Sequence, residues 1–265
     1  MLSNTITGKT RLLGILAWPT DHVKAPPAIN RIAAERGRDT VMVPFAVHPD
    51  NFETVVSSLR HIASLDGCIV TVPHKQAVLP LCDSLTEQAR AVGAVNILQR
   101  REDGHLHGGQ LDGIGFVNGL KAQGVDPAGK CVYLVGAGGA ASAIAFALAE
   151  AGVASLTLAN RSRHKIEALK IRLLTFRPDL QVVIGDADPS GNDIIINGTT
   201  LGMHEGDAEP LQFSSLKPEM VVAEVIMEPR MTPLLTAAEK AGCRIHYGSH
   251  MLEHQLQLMA DFMKL

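Results

Sequence analysis

Residues 132–161 read VYLVGAGGAASAIAFALAEAGVASLTLANR, and this stretch decides the fold. Val132–Val135 is a short apolar run flanked by a glycine-rich turn, the pattern of a buried strand. The turn Gly136-Ala137-Gly138-Gly139-Ala140-Ala141 follows, then a helix of small apolar residues over Ser142–Ala151 that Gly152 stops. Ser155–Ala159 reads as a second strand. In this G-x-G-x-x-A turn, Gly136 permits a sharp reversal and Gly138 lets backbone approach a pyrophosphate on the helix N-terminus. Ala141, in place of a third glycine, still permits close helix–strand packing. A glycine-rich loop in some other α/β protein would explain the G-x-G but not the order of elements around it. The stretch predicts a dinucleotide site.

The end of the second strand selects the cofactor. An NAD-selective fold places Asp or Glu there, on the ribose 2′-hydroxyl. Here Asn160-Arg161-Ser162 is followed by Arg163, His164 and Lys165. No carboxylate is present to repel a 2′-phosphate, and Arg161 can pair with one as a planar fork. Cations at a helix start oppose the helix dipole, which favours a ligand role over mere solvation. NADP is expected in preference to NAD.

Composition sets the class. Of 265 residues, 46 % are hydrophobic and 19 % charged, with a formal net charge of −3, so the chain reads as soluble and globular. No Lys/Arg cluster suggests nucleic acid, and no apolar run reaches membrane-spanning length. The start, MLSNTITGKTRLLGI, lacks a signal-peptide pattern, and a cytoplasmic location is expected. Cys68, Cys82, Cys131 and Cys243 lack C-x-x-C spacing and read as reduced thiols. The eleven histidines show no metal spacing, so no metal is expected, and most read as exposed.

Before the dinucleotide unit, strands are expected at Arg11–Leu16, Val41–Phe45 and Cys68–Val72, with helices from Pro26 to about Arg36 and over Asn51–Ala63. Gln76–Arg90 reads as broken helix, and Val95–Arg100 with His105–Gly108 as a hairpin. Gly113–Gly124 reads as helix in spite of its glycines. After Asn160 come a basic helix at Arg163–Phe176 and strands at Val182–Ile184, Asp193–Asn197 and Met220–Val225. A helix from Thr232-Pro233 to Ala241, a short strand at Arg244–Tyr247 and an amphipathic helix over Met251–Leu265 complete the chain. The expected architecture is two α/β domains: a substrate domain of residues 1–111 plus 249–265, to which the C-terminal helix returns, and a Rossmann-type NADP domain of 112–248.

Several separated motifs resemble those of the shikimate/quinate dehydrogenases. Val70-Thr71-Val72-Pro73-His74-Lys75 is similar to that family's N-V-T-x-P-x-K, Val92-Gly93-Ala94-Val95-Asn96 to I-G-A-V-N, and Gln110-Leu111-Asp112-Gly113 to N-T-D-G. Asn160-Arg161-Ser162 resembles its N-R-T clamp, and Asn197 to Met203 its N-x-T-x-x-G-M loop. Pro229, Thr232–Leu235 and Gly248–Gln255 resemble its last two motifs. The likeness runs in fixed order from Gly14 to Gln255, and the chain is identified as a member of that broad family.

The resemblance implies a Lys75–Asp112 proton-transfer pair, with Thr71, Asn96 and Gln255 on substrate. It further implies Thr199, Met203 and Gly248 beside the cofactor. It implies NADP-dependent hydride exchange with a small cyclic hydroxy-acid, by a monomer or homodimer. A lysine amine can pass the hydroxyl proton when desolvation favours its neutral form. Read from the residues alone, Thr71 serves either substrate or packing, and Asn96 and Gln255 either substrate or backbone capping. His22 and His74 flank the expected pocket, with a solvated histidine as the default.

Departures put the substrate in question. Val23 and Ala25 stand where the family has two serines that hold a carboxylate, Gln110-Leu111 replace Asn-Thr, and Glu224 and Met227 replace Asp and Tyr. Lys24 either supplies a substitute cation or points to solvent. An enzyme is expected, because a binding protein has no need of Lys75 and Asp112 together; the alternative is a catalytically weak NADP-binding sensor on the same fold.

Overall fold

A computed structural model describes residues 6–21 and 23–265. The chain divides into two compact units: the described residues up to Leu111 with Gln255–Leu265, and Asp112–His254.

The first unit opens with β1 (Arg11–Ala17), α1 (Ala25–Glu35) and β2 (Thr40–Ala46). A 3₁₀ turn at Pro49–Asn51 leads into α2 (Phe52–Leu59), followed by β3 (Leu65–Val70). Next come β4 (Ser84–Leu85), α3 (Glu87–Val92), β5 (Ile97–Arg100) and β6 (Leu106–Gly109). The sheet runs β2-β1-β3-β5-β6-β4. Its first three strands are parallel, β5 runs antiparallel to β3, and β5–β6 form the expected antiparallel pair. Alternation along β1 sends Leu12 and Leu16 to the side of Phe52 and Val56, and Leu13 and Ile15 to the side of Ile29 and Ile32.

Several expectations need correction here. The helix expected over Asn51–Ala63 stops at Leu59, because the Arg60 carbonyl accepts from Arg100 Nε (2.9 Å). The third strand runs Leu65–Val70 instead of Cys68–Val72, so Thr71 lies beyond it. Gln76–Arg90 resolves into a 3₁₀ turn at Leu79–Leu81, β4 and α3, whose cap is the Thr86 hydroxyl accepting from Ala89 N (3.1 Å).

In the second unit α4 (Asp112–Ala122) precedes β7 (Cys131–Val135), α5 (Gly139–Glu150), β8 (Ser155–Ala159), α6 (Arg163–Phe176) and β9 (Gln181–Ile184). Then follow β10 (Ile194–Asn197), β11 (Val221–Glu224), α7 (Pro233–Lys240), β12 (Arg244–His246) and α8 (Ser249–Glu253). All six strands are parallel, in the order β12-β11-β10-β7-β8-β9. This is the doubly wound dinucleotide order, with its switch point between β7 and β10. The glycines of α4 have a packing reason: a Cβ on Gly113 would lie 2.1 Å from the Ala143 carbonyl oxygen in α5.

The helix expected over Met251–Leu265 is two helices, α8 and α9 (Leu256–Phe262), broken at His254-Gln255. At the break Gln255 is buried and its side-chain oxygen accepts from Asn96 Nδ2 (3.3 Å). Helix α9 belongs to the first unit, where Met259 and Met263 join the Ile29 cluster. Residues 249–254, assigned to the first domain from sequence, belong to the second unit, because His250 of α8 packs on Gly119 of α4. Among the described residues no helix is long and apolar enough to cross a membrane.

Candidate active site

The second unit carries a cradle at the β7–α5 turn. Gly136 has φ +123°, and a Cβ there would come within 2.9 Å of the Gly198 backbone, so only glycine fits. Around Gly138, by contrast, a Cβ would meet nothing within 4 Å, which leaves open space over the helix start. Helix α5 begins at Gly139 without a side-chain cap. Its first-turn N–H groups, those of Gly139 and Ala140 among them, face that space with the positive end of the helix dipole. This is the chemistry a pyrophosphate requires. Ala141 does permit close packing: a Cβ on Gly198 would sit 2.8 Å from its methyl.

Beyond β8, Asn160 Nδ2 donates to the Ser162 carbonyl (3.0 Å) and ties the turn that presents Arg161. Helix α6 has no acid in its first turn. Arg163 pairs with Glu167 (3.0 Å), whereas Arg161 and Lys165 are exposed and have no carboxylate partner among the described residues. Beside them lies a cavity of about 530 Å³, lined by Tyr133, Asn160, Arg161, Asp186, Thr200 and Glu209 among others. The Tyr133 hydroxyl donates to the Asp186 carbonyl (2.7 Å) and forms its floor. Asp186, Thr200 and Glu209 escape a sequence reading. Their only signal is position after β9 and β10, at the carboxyl edge where nucleosides bind.

The opposite side of the switch point is a hydrogen-bonded corner. Asn197 Oδ1 accepts from Thr199 N (3.0 Å) and the Thr199 hydroxyl (2.7 Å), and its Nδ2 donates to the Leu201 carbonyl and to Glu224 Oε1 (both 3.0 Å). Glu224 is buried, and desolvation pushes its carboxyl up to about 7 against the pull of Asn197, Thr232 and two backbone N–H groups. Met203 borders a second cavity of about 520 Å³ with Gly202, Met231 and Thr236. Gly248 is fixed by packing, since a Cβ would lie 2.2 Å from the Ile226 carbonyl oxygen.

In the first unit, backbone bonds gather the expected substrate residues at one sheet edge. Val70 N donates to the Asn96 carbonyl and Val95 N to the Lys75 carbonyl (both 2.8 Å), which brings Thr71, Lys75 and Asn96 together. Asn96 reaches Gln255 by the bond at the helix break, and its Oδ1 accepts from Leu111 N (2.9 Å). Asn96 and Gln255 are therefore engaged with each other, while Thr71 and Lys75 are half-buried beside them. Asp112 opens α4 in the second unit and is buried.

Two histidine expectations have different outcomes. His22 lies outside the described residues. His74 is not solvated: it is 1 % exposed, stacks on Phe52 with ring centroids 4.0 Å apart, and its Nε2 bonds the Val47 carbonyl (2.8 Å). Burial holds its pKa down, which makes it a neutral structural donor. The four cysteines carry no disulfide, and burial pushes the Cys68 thiol up to about 12. Val23 and Ala25, at the positions where the family has its two serines, lead into and open α1. Ala25 is 3 % exposed inside the apolar cluster with Leu13, Ile15 and Ile29, and Val23 packs on the same cluster. Lys24 between them is exposed at the start of α1.

Comparisons with known proteins agree with this architecture. The family model described as shikimate dehydrogenase substrate binding domain matches residues 15–98. A shikimate dehydrogenase (NADP(+)) of Geobacter metallireducens is 37 % identical over 260 residues, covering 94 % of this chain and 90 % of its own. Among solved structures, a shikimate dehydrogenase in complex with NADP+ superposes with TM-score 0.90 at 30 % identity, over 99 % of this chain and 93 % of that one. A ligand-free 5-ketofructose reductase of Gluconobacter sp. strain CHM43 superposes with TM-score 0.83 at 33 % identity, over 96 % of this chain and 92 % of that one. With its doubly wound unit, its gathered Thr71–Lys75–Asn96 edge and relatives that match along nearly its whole length, the chain belongs to the shikimate dehydrogenase family of oxidoreductases.

Proposed function

We propose that this protein is an NADP-dependent dehydrogenase that exchanges hydride reversibly with a secondary alcohol or ketone of a small, hydroxylated substrate of the shikimate kind or a relative of it. The observation that carries this reading is the uncapped α5 N-terminus over Gly136–Gly138, beside the acid-free, cationic start of α6. The first supports a pyrophosphate and the second a 2′-phosphate on Arg161 and Lys165. The names of the relatives agree: the Geobacter enzyme is called NADP(+)-dependent, and a solved neighbour holds NADP+.

NADP, when bound, supplies the hydride carrier; the protein's own residues handle the proton and the orientation. Lys75 is the group proposed to take the hydroxyl proton, with Asp112 as its carboxylate partner. Thr71, Asn96 and Gln255 are proposed to bond substrate hydroxyls, and Thr199, Met203 and Gly248 to border the nicotinamide. Support for these roles comes from the family motifs and from the clustering of Thr71, Lys75 and Asn96. The test follows nicotinamide absorbance with NADPH and NADP across a panel of cyclic and linear polyhydroxy ketones and alcohols. Turnover at least about tenfold better with the NADP pair than with NAD supports the assignment. Tight NADPH binding with no turnover on any compound would replace it with the sensor reading.

A further inference from the structure

The substrate edge of the first unit has features that a carboxylate-binding pocket does not need. We propose that it is built for an uncharged polyhydroxy ketone of the sugar type, with Trp18 as the stacking platform. The inference rests on the dehydrogenase reading above and names the substrate class of that site.

Three observations carry it. The first is the exposed apolar rim. β1 is fully buried at Leu16 and Ala17, and β3 at Val70, yet the next residues turn outward: Trp18 is 43 % exposed and Val72 is 52 % exposed. Trp18 N donates to the Val72 carbonyl (3.2 Å), so the two share the carboxyl edge of the sheet, where open α/β folds bind ligands. The indole is held edge-on by His48 with centroids 5.1 Å apart, and His48 Nδ1 is itself anchored by Asp50 N (3.3 Å). An indole face carries negative quadrupole density. The polarised C–H face of a sugar complements it, whereas a carboxylate is repelled by it.

The second is the start of α1, which opens at the same edge. A helix N-terminus is ordinarily an anion site, because its first N–H groups have no internal partner. Here the helix begins Ala25-Pro26-Pro27, and the two prolines have no N–H to give. Val23 and Ala25 add no hydroxyl and are packed against the core. An anion placed there would find two fewer donors than at an ordinary helix start, and would lose water with less to compensate it.

The third is the balance of side chains around the edge. Asp21, three residues before Lys24, and Asp50, whose N–H is bonded to the His48 ring beside Trp18, are both exposed, so acidic charge accompanies the cations at this edge. The polar groups gathered at the edge, Thr71, Asn96 and Gln255, are neutral donors and acceptors. An apolar wall with a few convergent neutral polar groups is what a hydroxylated, uncharged ligand needs.

The chain has one tryptophan, Trp18, so its tryptophan emission, excited beyond the tyrosine band, reports this edge alone. The experiment titrates the full-length protein, saturated with NADP, with a ketohexose, a diketohexose, a ketone-bearing cyclitol and shikimate. NADPH oxidation or NADP reduction is recorded in parallel. At least one uncharged compound should change the Trp18 emission with an affinity about tenfold or more above that of shikimate. Trp18→Ala should raise its KM about tenfold with little change in kcat or NADP affinity, and Trp18→Phe should restore most of the loss. Shikimate binding more tightly than every uncharged compound would overturn the substrate class while leaving the dehydrogenase reading intact. No emission change with any compound, or an unchanged KM in Trp18→Ala, would overturn the platform. Emission changes without NADPH oxidation would instead reject the dehydrogenase reading and keep the binding one.

Discussion

Replacing Glu224 with glutamine should flatten the pH dependence of the second unit's stability. The carboxyl is fully buried; its Oε1 accepts from Asn197 Nδ2 (3.0 Å) and the Thr232 hydroxyl (2.9 Å), and its Oε2 from Val225 N (3.2 Å) and Ile226 N (3.4 Å). Burial outweighs these bonds and carries the group from 4.5 up to about 7. The folded state thus holds a proton that the unfolded chain has released, across the window from 4.5 to about 7. Stability from this group is complete below the lower value and is lost as pH rises through the upper one. Between about pH 5 and about pH 8 the loss is about 2–3 kcal/mol, on the order of 10²-fold in the opening equilibrium. Glutamine keeps the acceptor for Asn197 and Thr232 and gives up the two longer bonds. That is a pH-independent cost of about 1 kcal/mol for each. Hydrogen exchange of the β10 and β11 amides isolates this unit, and comparing protein and variant at each pH cancels intrinsic exchange. The ratio of their protection should shift on the order of 10²-fold between the two conditions, with the variant gaining at the higher pH. An unchanged ratio would mean that Glu224 does not titrate in this window, and the reasoning from its burial would fall.

Three further outcomes are expected. Arg161→Leu should weaken NADP binding by about 1.5–3 kcal/mol, as loss of a charge-assisted pair, and leave NAD unaffected; titration of both cofactors checks it. Lys75→Ala should lower kcat by roughly 10²–10⁴ with NADP affinity retained, Asp112→Asn should do similar damage, and the double variant little more, as steady-state kinetics would show. Val23→Ser with Ala25→Ser should raise kcat/KM on shikimate relative to the unaltered protein. Because Ala25 is 3 % exposed, the added hydroxyl should also cost about 1–3 kcal/mol, measurable by denaturant unfolding.

Much of the second unit was legible in the chain because its signals are local. A strand, a G-x-G turn and a small-residue helix are specified by neighbours in sequence, and β8 and α6 occupy the ranges expected of them. The absence of an acid after β8 needs no tertiary information either, since Arg161 sits at a strand end whatever packs around it. Other features depended on what distant residues do. Met251–Leu265 reads as one amphipathic helix, yet it breaks at Gln255, whose partner Asn96 is 159 positions away. His74 looked like a solvated histidine until Phe52 and the Val47 carbonyl closed over it. Asp186 and Glu209 carry no motif and meet Arg161 at one cavity only because β8, β9 and β10 end at the same edge. Val23 and Ala25 show the division most clearly. The sequence determined that neither position carries a hydroxyl; the tertiary structure decided that both side chains pack on the apolar cluster around Ile29. Periodicity and turn chemistry act over a few residues, whereas burial and hydrogen-bond partnership are properties of the packed chain.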